Sequence, residues 1–250
     1  CRFCQAGFIY RPARERPLEE VLGTVESIVK ETGYEEVALV SLSSCDHSQI
    51  EPMVQRLTTR YQHPPLAISL PSLRVDSFSV KLAEMFQGRR KTGLTFAPEA
   101  GSQRLRDVIN KNVTEEDLLR TAEAAYASGW RRIKLYFMVG LPTETLNDVA
   151  AMVDLVKKVR AIGRHHQGKR TQVNVSLATF VPKVFTPFQW LPLADEGSLE
   201  EKQDLLRRKL RGPGISFSWQ DPRTTLLEAA LSRGDRRLGQ VIHRAWQLGA

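Results

Sequence analysis

An α/β fold built on parallel strands is what this sequence predicts, and three observations carry it. Short apolar runs alternate with amphipathic stretches along most of the 250 residues. The runs, residues 37–42, 66–70, 93–97, 133–139 and 173–180, are rich in branched and aromatic side chains, as strands buried on both faces require. The stretches between them carry helix start and stop signals. Strand and helix alternating five times imply parallel strands joined by right-handed crossovers, and a barrel or partial barrel is the natural closure.

The elements follow in order. Pro17 opens a helix carrying Leu18, Val21, Leu22, Val25 and Ile28, and Gly33 stops it. Ser48 with Glu51 reads as a capping box ahead of Met53, Val54 and Leu57. Asp76 caps a helix that runs to Gly88, and Thr114 caps one that ends at Gly129. Leu146, Val149, Val153, Val156 and Val159 form one apolar stripe, closed by Gly163, so that His165 and His166 fall in a solvated loop. Beyond Trp190 the pattern changes. A helix capped by Ser198 and Glu201 leads to a basic stretch ending at Arg211, Gly212-Pro213-Gly214 breaks the chain, and residues 215–219 read as one more strand. Asp221-Pro222 starts a helix, and Asp235 caps another that carries Leu238, Val241, Ile242 and Trp246. Residues 1–190 are thus read as a core and 191–250 as an α-rich extension packed on it.

Composition narrows the function classes. With 42% apolar and 26% charged residues the chain has the balance of a folded globular protein. No apolar run reaches the roughly 18 residues a membrane helix needs. No signal peptide is visible, and the opening Cys1-Arg2-Phe3-Cys4, without Met, leads us to expect a processed or truncated piece. Three cysteines cannot staple a chain of this size. An odd count with a tight pair points to metal or redox chemistry in a reducing, cytoplasmic setting. The net charge of +8 gathers at residues 89–91, 131–132, 207–211 and 233–237. Such clusters suit either a phosphate-rich partner such as RNA or simply solvated helix faces.

In parallel α/β folds the chemistry sits at the C-terminal ends of the strands. The positions to inspect are Ser43-Ser44, Pro71-Ser72, Pro98-Glu99, Gly140-Leu141-Pro142 and Val181-Pro182. Glu99 directly follows an apolar run, where a carboxylate can accept hydrogen bonds from a ligand; the other reading is a carboxylate that complements a helix dipole before Arg104. Gly101 permits close backbone approach, and Ser102 can cap the next helix. Gly140 and Pro142 mark a strand-to-helix turn, with Thr143 or Thr145 as cap. Phe185, Phe188 and Trp190 serve packing or contact a substrate. Cys45 is a small core residue or part of a site. Cys1-x-x-Cys4 has three readings: a zinc centre completed by Cys45 and His47, a thioredoxin-like redox pair, or part of an iron–sulfur site, which needs at least three thiolates.

The residues around that pair resemble a known family. Cys1-Arg2-Phe3-Cys4-Gln5-Ala6-Gly7-Phe8 is similar to the last two cysteines of Cys-x-x-x-Cys-x-aromatic-Cys, the signature of radical S-adenosylmethionine (SAM) enzymes. Phe96-Ala97-Pro98-Glu99-Ala100-Gly101-Ser102-Gln103-Arg104-Leu105 resembles the fourth-strand motif of a subgroup of that superfamily. The stretch from Lys134 to Thr145, with Gly140-Leu141-Pro142-Thr143-Glu144-Thr145 at its end, resembles the fifth-strand motif, and Phe180-Val181-Pro182-Lys183 the sixth-strand region. The resemblance implies a partial, TIM-like (β/α)6 barrel in which the five runs are strands two to six and the first strand is missing. It implies a 4Fe–4S cluster held in part by Cys1 and Cys4, with the aromatic place filled by Phe3 and a first cysteine four residues upstream. It implies SAM held by Glu99, Gly101, Ser102, Gly140, Pro142 and Val181. Ser43 and Ser44 would stand where many members carry a Gly-Gly-Glu type motif, although this chain reads Ser-Ser-Cys-Asp there. The implied chemistry is reductive cleavage of SAM to a 5′-deoxyadenosyl radical, with an electron donor such as flavodoxin or ferredoxin. Because the subgroup often carries an upstream cobalamin (B12)-binding domain, cobalamin-dependent methylation is a further implication. RNA modification is another, since the superfamily has tRNA-modifying members.

Overall fold

Ladder pairing and burial together show how the apolar runs are used. The computed structural model describes residues 1–63, 65–70 and 93–249. β1 (Glu36–Ala38) pairs with β2 (Ala67–Ser69), while β3 (Leu94–Glu99), β4 (Arg132–Val139), β5 (Gln172–Thr179) and β6 (Ile215–Trp219) form a second sheet in that order. Every pairing is parallel. Among the described residues the strands therefore make two open ladders of an α/β fold and not a closed barrel. The sixth strand, expected inside the appended segment, is hydrogen-bonded to β5 in continuous register from Val173↔Ile215 to Leu177↔Trp219.

Helices cover one face of the larger sheet. α1 (Ala6–Ile9), α2 (Leu18–Thr32) and α3 (Ile50–Arg60) accompany the smaller ladder. α4 (Gln103–Val108) and α5 (Glu115–Ala127) follow β3, α6 (Leu146–Gln167) follows β4, and α7 (Glu196–Lys209), α8 (Pro222–Arg233) and α9 (Leu238–Gln247) follow β5 and β6. Ile133, Leu135, Phe137 and Val139 of β4 and Val173, Val175 and Leu177 of β5 are buried with Tyr126, Met152, Val156 and Val159 in one core, which also takes in Val37, Met53, Val54 and Leu57 beside the smaller ladder. The alternate side chains of those strands are not buried in the core.

Many of the sequence signals act where they were read. Pro17 and Gly33 bound α2, the latter in the left-handed conformation at φ 68°. Thr114 and Thr145 form capping boxes with Asp117 and Asp148. Asp221 caps α8, with Pro222 at its start. Others do not. Ser48 gives its amide and hydroxyl to Glu15 instead of capping α3, which starts after Gln49. α7 is capped by Asp195, whose carboxylate accepts from the Ser198 amide. Asp235 receives the Arg237 amide just ahead of α9, whose cap position is Arg237. Gly163 does not stop α6. A side chain there would collide with Thr171 and the Tyr126 ring, so the glycine serves close packing and the helix runs on to Gln167. His165 and His166 are therefore helical, and His166 bonds to Glu123 at 2.5 Å. Pro71-Ser72, the helix from Asp76 to Gly88 and the basic cluster 89–91 lie outside the described residues. Among the described residues no helix is long and apolar enough to cross a membrane.

Candidate active site

The N-terminal cysteine turn is fastened to the ends of β3, β4 and β5. The Cys4 amide donates to Cys1 O at 3.3 Å, so the two cysteines close one turn. Arg2 donates its amide to Ile109 O at 2.9 Å and its guanidinium to Val108 O at 2.6 Å, and Gln5 Nε2 reaches Val184 O at 3.0 Å. Phe3 packs against a small core of Ala100, Leu105, Ile109, Leu141 and Phe180, residues that all come from segments just after strands. Both thiols are free, Cys1 exposed and Cys4 partly so. Two free thiols in one turn are fewer than the three thiolates that an iron–sulfur site needs.

β3 ends in a strained carboxylate. Pro98 lacks an amide to donate and lies at a sheet edge, where proline is tolerated. The β3–β4 register shifts between Phe96 and Glu99. Glu99 then takes φ +67°. Asn110 (φ +54°), Thr143 (φ +61°) and Phe185 (φ +62°), the other positive-φ non-glycine residues among those described, also fall in segments after β3, β4 and β5. For Thr143, a β-branched residue, this is a genuine outlier, and such strain gathers at functional sites. The turn at Asn110 brings Lys111 back to Glu99, with Nζ 3.4 Å from Oε1. Both side chains are largely withdrawn from solvent. Burial pushes the Glu99 carboxyl above its ordinary range, and Lys111 partly offsets that. The first turn of α4 contains no acid, so Glu99 does not act as a dipole complement there. Lys111, the partner of Glu99, is a residue that sequence reading missed; its signal would have been the Asn-Lys pair at the end of the helix after Glu99.

Asp148 locks the two loops together. Its carboxylate accepts from the Ser102 hydroxyl, from Arg104 at 2.5 Å, and from Thr145 Oγ1 at 2.7 Å and its amide at 2.8 Å. Burial opposes its ionisation, but the donors from Arg104, Ser102 and Thr145 prevail and hold it well below the usual carboxylate range. Ser102 also caps α4 by accepting from the Leu105 amide at 3.2 Å. Buried Arg106 donates to Ala100 O and Gly101 O at 2.9 and 3.0 Å, fixing the backbone after Glu99. A side chain at Gly101 would run into the backbone of Asp148, Ala151 and Met152, so the approach this glycine permits is that of α6.

The Gly140 turn is set from the far side. Gly140 takes φ +80° and donates its amide to Glu144 Oε2 at 2.8 Å. The Glu144 amide returns to Leu141 O at 3.1 Å, closing the turn that contains Pro142. The Glu144 side chain is fully covered, and Lys202 of α7 reaches the same Oε2 at 2.8 Å. Phe180 extends the ladder by donating to Val139 O, and Val181 beside it is buried. Phe188 stacks edge-on against Phe180, whereas Phe185 and Trp190 are exposed and do not pack.

The serine pair follows the first strand of the smaller ladder. Ser43 and Ser44 lie beyond β1, in the smaller ladder's connection to α3. The Ser44 hydroxyl donates to Leu39 O at 2.8 Å and lies 3.2 Å from Ser41 Oγ, while Ser43 Oγ is buried without a partner. Cys45 belongs to the main core. His47 is engaged by Arg16 O and the Gln49 amide, both at 3.0 Å. Among the described residues no three His, Cys, Asp or Glu side chains gather to hold a metal, so a zinc centre of Cys1, Cys4, Cys45 and His47 is not assembled.

Comparison with known proteins bears on the family and the fold. Residues 1–156 match the family model described as the Radical SAM superfamily. An uncharacterized protein of Methanocaldococcus jannaschii is 33% identical over 97% of this chain and 51% of its own length. A tRNA-2-methylthio-N(6)-dimethylallyladenosine synthase of Thermotoga petrophila is 26% identical over 81% of this chain and 44% of its length. The chain thus spans about half the length of these relatives. Among solved structures, Streptococcus suis SuiB bound to S-adenosylmethionine shares the fold with a TM-score of 0.58 at 10% identity, covering 88% of this chain and 47% of that one. With its cysteine turn, its strained post-strand carboxylate and a family match over most of its length, this chain belongs to the radical SAM superfamily.

Proposed function

We propose that these residues form the SAM-binding core of an enzyme that cleaves SAM reductively and acts on its substrate through the radical so formed. The observation that carries the reading is Glu99: a largely buried carboxylate on a positive-φ backbone at the end of β3, paired with Lys111 and next to the segment against which the cysteine turn packs. An acid beside a base matches the two ends of the methionyl group, Glu99 receiving the ammonium and Lys111 the carboxylate. The turn at Gly140 and Pro142 and the buried Val181 provide a wall for the adenine, and Ser102 holds the Glu99 loop in place through Asp148. Cys1 and Cys4 are two thiolate ligands of a 4Fe–4S cluster, with Phe3 anchoring their turn. When bound, that cluster supplies the one electron that SAM cleavage requires. The protein orients SAM and excludes water. No observation carries the cobalamin expectation.

The test is SAM binding and turnover by the full-length polypeptide, reconstituted anaerobically with iron and sulfide. Glu99→Gln is expected to weaken SAM binding at least tenfold while iron content stays unchanged, and Cys4→Ala to lose the iron. SAM affinity unchanged in Glu99→Gln would sink the assignment. A tRNA substrate is the second reading, favoured by the similarity to the Thermotoga petrophila synthase. Salt-sensitive tRNA binding would support it, and the lack of any binding at low salt would count against it.

A further inference from the structure

The two faces of the larger sheet differ in kind. One face carries the apolar rows buried under α5 and α6. The other face carries two polar rungs. Lys134 of β4 pairs with Asn174 of β5, which pairs with Ser216 of β6; above them Tyr136 pairs with Ser176, which pairs with Ser218. None of these six side chains is buried. Inner rows that merely fill a barrel are branched and apolar. These are hydrogen-bonding groups left uncovered by the described residues.

The lower rung carries positive charge. Lys134 Nζ donates to the Tyr136 hydroxyl at 2.8 Å and sits 4.5 Å from the ring centroid, so the lysine head is turned up the strand toward the site. Arg132, one step below on the same face, bonds to Gln172 at 3.0 Å, and a cavity of about 460 Å³ lies against Arg132, Asn174 and Ser216. Neither cation is paired with a carboxylate among the described residues. That cavity belongs to the Arg132 end of the face, and Lys134 lies above it on the same strand. A cationic head held only by a neutral partner on an uncovered polar face is suited to an oxyanion.

We propose that this face is the substrate wall and that Lys134, with Tyr136 beside it, recognises a carboxylate or phosphate group of the substrate. The inference rests on the SAM-site reading for its orientation. Lys134 stands three residues before Phe137, which is level with Glu99, or about 10 Å along the strand. Because the lysine head is turned up toward Tyr136, the substrate is a polar molecule whose anionic group lies less than about 10 Å below the methionyl end of SAM. Asn174 and Ser176 offer hydrogen bonds along its length.

Inorganic pyrophosphate serves as the probe, titrated calorimetrically into the full-length protein in parallel with SAM. Pyrophosphate is expected to bind wild type and Lys134→Arg alike and to bind Lys134→Met at least tenfold more weakly, with matching melting temperatures showing that both variants fold. Equal pyrophosphate affinity in wild type and Lys134→Met would overturn the proposal. The SAM titration separates the two readings: pyrophosphate binding that depends on Lys134 in a protein that does not bind SAM upholds the anion site and removes the SAM reading, while SAM binding with Lys134-independent pyrophosphate does the reverse.

Discussion

Lys202 and Glu144 form a buried ion pair, 2.8 Å between Nζ and Oε2, that joins α7 to the Gly140 turn. The same oxygen holds the Gly140 amide, and the space around Gly140 is closed by Ala194 and Leu199. The segment beyond residue 190 therefore shapes the turn proposed to hold adenine. Glu144 keeps its other oxygen, Oε1, buried and without a partner, which leaves Lys202 as the cation that makes its charge tolerable.

Replacing Lys202 by Met is expected to destabilise the fold by up to about 3 kcal/mol near neutral pH, because a buried carboxylate loses its counter-ion. Burial raises the Glu144 pKa, and Lys202 and the Gly140 amide offset it. A carboxyl whose folded-state pKa is raised contributes stability that is full below its unfolded value and is lost as pH rises through the folded one. Without Lys202 the folded value climbs further. The variant's deficit should thus be small at acid pH and grow toward neutrality. Urea unfolding of wild type and Lys202→Met across that range measures it, and a deficit independent of pH would dissociate the effect from Glu144.

Asp148 behaves in the opposite sense. Its folded pKa is depressed, so its contribution is present above the ordinary aspartate value and is lost as pH falls through the folded one. Asp148→Asn is expected to cost about 2 kcal/mol at neutral pH, the worth of hydrogen bonds to a charged acceptor. In acid, wild type should lose that advantage and the two melting curves should converge. Thermal melts at pH 7 and in the acid range check this.

The alternation of apolar runs and capped helices was enough to read the parallel α/β order, since each strand's composition and each cap is a local property. Thr114, Thr145 and Asp221 cap helices by contacts within a few residues, and the sequence shows them plainly. Ser48 and Gly163 misled because distant partners decide their use: Glu15 takes the Ser48 hydroxyl, and Tyr126 with Thr171 demands a glycine at 163. Glu99 was legible from its place after a strand. Lys111 was not, because only the positive φ of Asn110 turns it back. The Lys202 contact lies between segments whose docking no periodicity announces.

Gly101 gives a sharper test of packing than any cap. A methyl group at that position would overlap the backbone of α6, which cannot swing aside as a side chain does. Gly101→Ala is expected to destabilise by about 1–3 kcal/mol, the usual range for overpacking. If the glycine served ligand approach alone, the melting temperature would stay at the wild-type value and SAM affinity alone would fall.

Under the proposed assignment of Glu99 to the SAM ammonium, the Glu99–Lys111 pair is expected to make SAM binding dependent on pH. A carboxyl that receives an ammonium must be ionised, and burial holds the Glu99 pKa above the usual range while Lys111 pulls it back. SAM affinity in the full-length protein should therefore rise with pH through that elevated value. Lys111→Met removes the opposing charge, so the midpoint of the rise should move to higher pH and the affinity at neutral pH should fall. Lys111→Arg keeps the charge and should restore a midpoint near that of wild type. Calorimetric titration of SAM against the three proteins from pH 5 to 8 decides the matter. The same flat profile in all three would mean that Glu99 does not meet the ammonium, and that the pair only braces the loop after β3.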